Sequence, residues 1–306
     1  MHKMIPRDSP VHAHVVSFIS WVFGSKPDRF PGCQPISIER KHFRTLATND
    51  YVVTEKTDGI RQFVVALKIE QKRRSFMVNR AFDVVEVPLR LGQRAYEGTI
   101  LDAELLGTHL YVFDAIFVDG APCGHLDFLS RLERIEPFVS QIICMTNDPY
   151  KLRLKRFHAF ADFEQFADEY LPSVSCEVKV DGVIFIPVRE SVKMGTHETM
   201  FKYKNLEKNT IDFKLEWDHT RTVWRMYLQD KGKPVYELDT PANEPWFKSG
   251  MVVESAYDAE RDAWIPQFER TDKNFPNNRR TYYRTLVNIK ENLQLEDFKE
   301  LARSML

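Results

Sequence analysis

The sequence predicts an α+β fold in two domains, 1–217 and 218–306, and three observations carry that prediction. Residues 51 to 118 read as strand upon strand, in β-branched and aromatic runs. Two stretches of helical period come next. Beyond Trp217 the chain breaks into short strands separated by turns, the pattern of a small barrel rather than of a continued first sheet. Length agrees, since 306 residues fit one large domain or two ordinary ones.

The elements follow in order. "VVSFISWVFG" (15–24) is about half a membrane span and lacks a cleavage-site pattern, so it reads as a core helix. His12 and His14 precede it without a nearby third ligand, which argues against zinc there. "FPGCQPISI" is a loop leading into a short strand. The strands "YVVTE", "QFVVALKI", "SFMVN", "TILDAELL" and "HLYVFDAIFV" then run to about Val118. Phe128, Leu129, Leu132, Ile135 and Phe138 recur at helical spacing, with Asp127 as N-cap. Phe160, Phe163, Phe166 and Tyr170 form a second such stripe, and core packing explains both. Strands resume in "DGVIFIPV", "MFKYK" and "NTIDFKLEW", then in the short strands of the second domain. An amphipathic tail helix with Leu295, Phe298, Leu301 and Met305 on one face closes the chain.

Composition sets limits on function. Hydrophobic residues at 43% and charged residues at 28% supply a packed core. A net charge of −1 means that any nucleic-acid contact must come from a local basic groove. Cys33, Cys123, Cys144 and Cys176 form no C-x-x-C pair, which favours a reduced intracellular compartment. No phosphate-binding P-loop, Gly-rich dinucleotide turn or G-x-S-x-G elbow occurs, and glycines number only 12. Phosphate handling would therefore fall to lysines and arginines.

Three sets of residues could carry chemistry. The first is "TEKTDGIR" (54–61), where Lys56 ends an apolar strand just before Asp58 and Gly59. An amine attacks only when neutral, so a nucleophilic lysine needs burial or nearby cations. Asp-Gly between two strands is also an ordinary hairpin turn, and this stretch alone leaves both readings open. The second set is Asp102, Glu104, Asp114 and Asp181, strand-end carboxylates whose hard oxygens suit Mg²⁺ held partly by substrate phosphates. The third is basic: Arg80, then Lys202 and Lys204 on one strand face, then Arg270 and Lys273 around Asp272.

The order of these pieces resembles the covalent nucleotidyltransferase superfamily, related to ATP-dependent DNA ligases, and within it the mRNA capping enzyme guanylyltransferases. "EKTDGIR" is similar to motif I, and "MVNR" to the arginine-bearing strand after it. "TILDAELLG" resembles motif III with Ala103 in place of the usual glycine, and "YVFDAIFVDG" resembles motif IIIa. "KVDGVIFIPV", "MFKYKNLEKNTIDFKL" and "ERTDKNFPN" resemble motifs IV, V and VI. "NTIDF" and "RTDK" followed by "PN" are more characteristic of guanylyltransferases than of ligases. The resemblance covers roughly residues 30 to 280.

It implies a nucleotidyltransferase (ATP-grasp/ligase-like) domain with antiparallel sheets and flanking helices, then a C-terminal OB-fold barrel. It implies that Lys56 attacks GTP, forms a lysine–GMP intermediate and passes GMP to a 5′-diphosphate RNA end. Asp58, Gly59, Arg61, Arg80, Glu104, Lys155, Lys202 and Lys204 would bind GTP, with Lys155 facing the guanine. Glu104 and Asp181 would hold Mg²⁺ or Mn²⁺. Arg270, Asp272 and Lys273 would act by closure of the second domain. The implied partners, for a eukaryotic enzyme, are a separate RNA triphosphatase and the RNA polymerase II tail, without a membrane; the implied place is the nucleus or, for a virus-encoded enzyme, the viral replication compartment or cytoplasm. Rival readings are an ATP-dependent polynucleotide ligase and a non-catalytic RNA-binding module.

Overall fold

The computed structural model describes residues 3–25, 30–140, 148–204, 209–271 and 273–305. Cys144 and Asp272 lie outside them. The chain forms two compact units, one of Met1–Ile36, Arg44–Lys202 and Phe298–Leu306, the other of Ser37–Phe43 and Tyr203–Asp297. The expected boundary at 217 falls inside the strand Thr210–Asp218, which pairs with Val223–Asp230 on one side and Val252–Asp258 on the other. Its alternation explains this placement: Ile211, Phe213 and Leu215 are fully buried in the second unit's core. The tail is divided as well, with Phe298 packing on Phe163 and Phe185 of the first unit.

Two sheets build the first unit. In the larger, the strands lie in the order Lys3–Ile5, Val84–Glu86, Lys72–Val78, Ile60–Ile69, Thr99–Leu106, His109–Val118, Lys151–Leu154. All of these pairings are antiparallel except the last, which is parallel. In the smaller, the order is His158–Ala159, Tyr51–Thr57, Val180–Pro187, Thr196–Tyr203, Gln34–Ser37. The first unit is thus sheet-rich α+β, as expected.

The helix Pro10–Phe23 is capped by Ser9, whose hydroxyl accepts from His12 N, and it ends at Gly24 with φ of 59°. Val15, Val16 and Ile19 pack it onto Phe63, Val65 and Phe76 of the larger sheet. It is a core helix, and no helix among the described residues is long and apolar enough to cross a membrane. Helix Phe128–Ser140 starts at Asp127, whose carboxylate accepts from Ser130 N at 2.8 Å. Phe128 and Ile135 are buried as expected, but Leu129 is 46% exposed while Arg131 is buried in the helix's inner face. Aromatic residues Phe160, Phe163 and Phe166 are buried, again as expected. Met305 is 38% exposed, because the tail helix Leu295–Arg303 ends before it.

The second unit is one antiparallel five-stranded sheet, ordered Lys233–Thr240, Val223–Asp230, Thr210–Asp218, Val252–Asp258, Ala263–Glu269. Helix Arg279–Glu291 covers its apolar face through Tyr282, Leu286 and Ile289. Among the described residues no ladder joins the two edge strands into a closed barrel; the Thr240 hydroxyl donating to the Trp264 carbonyl at 3.1 Å bridges them.

Candidate active site

The first question is what "TEKTDGIR" builds. Tyr51–Thr57 and Ile60–Ile69 belong to different sheets, so Asp58 and Gly59 cross between sheets and are not a hairpin turn. Gly59 makes that crossing tight. A Cβ there would stand 2.6 Å from the Leu105 carbonyl and 2.8 Å from Glu104 Cγ. Its N–H donates to Glu104 Oε1 at 3.0 Å, which ties motif I to motif III.

Lys56 lies near the end of its strand with its side chain 22% exposed. Opposite it, the strand Val180–Pro187 carries a bulge: Val180 faces Thr57 and Gly182 faces Lys56, so Asp181 is the extra residue. Gly182 takes φ of 152° to allow it. The bulge aims Asp181 Oδ2 at Lys56 Nζ, at 2.7 Å. The amine that has to lose a proton therefore rests on a carboxylate able to accept one. Asp58 pairs with Lys179 on the exposed side, and its N–H donates to the Lys179 carbonyl.

Some of the expected residues already have partners within the protein. Arg61 is clamped by Asp102 through Nε and Nη2, donates from Nη1 to the Cys33 carbonyl, and lies between the rings of Phe30 and Phe113. Asp114 is likewise taken, by Arg131 at 2.7 and 3.0 Å. The carboxylate set proposed for a metal thus reduces to Glu104 and Asp181, because buried arginines neutralise the other two. Among the described residues no group of three or more His, Cys, Asp or Glu side chains could hold a metal by itself. Two carboxylates still fit a Mg²⁺ that substrate phosphates complete.

Arg80 is exposed and makes no ion pair among the described residues. Partial desolvation along its stem, and then the Arg61 charge, pull its pKa down, while Glu104 and Asp102 act in the opposite sense. Lys202 is half-buried and alternates with buried Phe201 and Tyr203, and Lys204 follows that strand. Lys155 is buried at the back of the nucleophile's strand, donating to the Glu55 carbonyl at 2.8 Å and to Thr57 Oγ1 at 3.0 Å.

In the second unit, Arg270 donates from Nη1 to Asp212 Oδ1 at 3.0 Å and to Glu254 Oε2 at 2.8 Å, and Lys273 pairs with Asp212. Asn277 exchanges two hydrogen bonds of 2.8 Å with the Asp212 backbone. "RTDK" and "PN" are therefore fastened to the Asp of "NTIDF". Sequence reasoning did not single out Glu55, Lys179, Arg131 or Glu254, and it assigned Tyr170 to core packing alone. Only Glu55, a charge inside the apolar run before Lys56, carried a signal that could have found it.

The family described as "mRNA capping enzyme, catalytic domain" matches residues 3–206. The mRNA-capping enzyme of Danio rerio is 26% identical over 305 residues, covering 90% of this chain and 49% of that protein. The mRNA-capping enzyme of Mus musculus is 25% identical, over 81% of this chain and 45% of that protein. The mRNA-capping enzyme subunit alpha of Saccharomyces cerevisiae is 25% identical, over 90% of this chain and 79% of that protein. The chain spans about half the length of the two vertebrate relatives. With more than half of its length matched, this chain belongs to the mRNA capping enzyme catalytic-domain family.

Proposed function

We propose that the chain is an mRNA guanylyltransferase, and the observation that carries this reading is the 2.7 Å contact between Lys56 Nζ and Asp181. Asp181 accepts the proton that Lys56 must lose. The freed lone pair attacks the α-phosphorus of GTP, a N–P bond forms, and the bond to the bridging oxygen breaks with pyrophosphate leaving. The terminal oxygen of a 5′-diphosphate RNA then attacks the same phosphorus. The N–P bond breaks, Lys56 recovers its proton, and a GpppN end results. Mg²⁺ or Mn²⁺, held by Glu104 and Asp181 with the phosphates, would supply charge neutralisation when bound.

Arg80, Lys202 and Lys204 are the cations assigned to the phosphates, and Lys155 to the guanine O6 acceptor. Arg61 supports the site from behind by fixing the Cys33 loop to Asp102. The second unit is assigned an OB-type role in which Arg270, Asp272 and Lys273 serve the first half-reaction. For a eukaryotic enzyme, an RNA triphosphatase activity that supplies the 5′-diphosphate end, docking on the RNA polymerase II tail and nuclear placement complete the reading.

The test is incubation with labelled GTP or ATP and Mg²⁺, followed by a denaturing gel. A GMP adduct that Lys56→Ala abolishes supports the reading. An AMP adduct would make the chain a ligase-type enzyme, and absence of any adduct would leave a binding module.

A further inference from the structure

Glu55 stands immediately before the nucleophile, and successive residues of a strand face opposite sides, so it points away from the Lys56 face. It is only 2% exposed. Oε2 accepts from the Thr54 hydroxyl at 2.9 Å and from the Tyr170 hydroxyl at 3.0 Å. Oε1 stands 3.5 Å from Lys155 Nζ. The one Thr54 hydroxyl proton is shared between Glu55 Oε2 and the Arg156 carbonyl at 2.8 Å, next in sequence to Lys155. A buried carboxylate with this many donors is a fixed anion, and a fixed anion orients the cation beside it.

Lys155 is 7% exposed, and two of its three N–H groups are committed to the Glu55 carbonyl and Thr57 Oγ1. Glu55 Oε1 stands 3.5 Å from the same Nζ, long for a hydrogen bond, and among the described residues the third N–H has no shorter acceptor. The ammonium is thereby held between the two residues that flank Lys56. Burial works against it, pulling its pKa down, and Glu55 is foremost among the groups that push it back up. Glu104 acts in the same upward sense and Lys56 in the opposite one.

We propose that Glu55 is a positioning residue for purine selection: with Thr54 and Tyr170 it holds the Lys155 ammonium so that its remaining donor meets a guanine and not an adenine. This rests on the assignment of Lys155 to the base. Guanine offers O6 as an acceptor, whereas adenine offers an amino donor at the same place. A fixed ammonium donor distinguishes the two. A loose or neutral amine, which also accepts, distinguishes them less.

The experiment measures single-turnover adduct formation with GTP and with ATP, over a range of each nucleotide, for the intact chain and for Lys155→Met, Glu55→Gln and Tyr170→Phe. Removing one charge-assisted contact corresponds to about a tenfold fall in the GTP:ATP ratio. Glu55→Gln is expected to show that fall, mainly as a weaker half-saturation for GTP, and Tyr170→Phe a smaller fall of the same sign. An unchanged ratio in Glu55→Gln with a reduced one in Lys155→Met overturns the positioning role and leaves the base assignment standing. An unchanged ratio in Lys155→Met overturns the base assignment, and the present inference with it. Should Glu55→Gln not fold, as judged by its melting curve, Tyr170→Phe carries the test, because it keeps the carboxylate with Thr54 and Lys155.

Discussion

Replacing Asp181 by Asn keeps the shape of the side chain, and an amide oxygen can still receive the Lys56 ammonium. What is lost is the negative charge and the capacity to take a proton. The contact is 2.7 Å, and the side chains are 22% and 10% exposed, so the pair is shielded from water without being sealed from it. A charge-assisted hydrogen bond in such a setting contributes about 1.5–3 kcal/mol. Because Lys56 remains partly hydrated, the folding stability should fall by no more than about 1 kcal/mol, readable as a small drop in Tm. The rate should suffer far more, since a positioned proton acceptor contributes on the order of 10²–10⁴-fold. Adduct formation by Asp181→Asn, measured as label incorporation in single-turnover experiments, should therefore fall by about 10²-fold or more. Raising the pH should restore part of the loss, since solvent hydroxide can then remove the proton that Asp181 no longer takes. An Asp181→Asn variant within about threefold of the unaltered chain, at every pH, would refute proton acceptance by this residue.

Three further outcomes follow from the same geometry. Arg131→Met would strand the Asp114 carboxylate in the core, and chemical denaturation should show a loss of about 3–5 kcal/mol, smaller when Asp114→Asn is added. Gly59→Ala should cost about 1–3 kcal/mol and also lower adduct formation, because its Cβ would press on the Leu105 carbonyl and Glu104 Cγ; a Tm equal to that of the unaltered chain would contradict the close approach. Lys273→Ala should reduce lysine–GMP formation more than GTP affinity measured by calorimetry, and equal losses in both would remove it from the reaction step.

Period and composition reached most of the fold. The continuous apolar run in "QFVVALKI" and the helical spacing of Phe160, Phe163 and Phe166 reflect burial, and burial is where the structure puts them. The same logic misread Leu129, because the helix turns Arg131 inward to meet Asp114 and leaves Leu129 outside. A buried ion pair between residues 17 apart on different elements leaves no local trace in a pattern of apolar positions. The change in strand length points to a boundary at Trp217. What decides membership is ladder partnership, and that is a long-range property: among the described residues Thr210–Asp218 pairs only with strands that come after it.

The site shows the same division. Lys56 and its turn were visible as a motif, but "TEKTDGIR" could not say whether its strands pair with each other; their assignment to separate sheets removes the hairpin. Asp181 was visible as a strand-end carboxylate, while the bulge that aims it is a register shift between Val180 and Gly182. Arg61 reads as a ligand contact in the sequence, and the structure adds that three of its N–H donors go to Asp102 and the Cys33 carbonyl, since nothing in K-x-D-G-x-R states what else the arginine faces.

The central claim is that Lys56 becomes covalently bound to guanylate and hands it to RNA. Peptide mapping by mass spectrometry after incubation with GTP and Mg²⁺, followed by a chase with 5′-diphosphate RNA, tests it most directly. The account predicts GMP on the peptide containing Lys56, discharged by the chase with appearance of a GpppN end. A nucleotide found on another residue, or AMP in place of GMP, would contradict it.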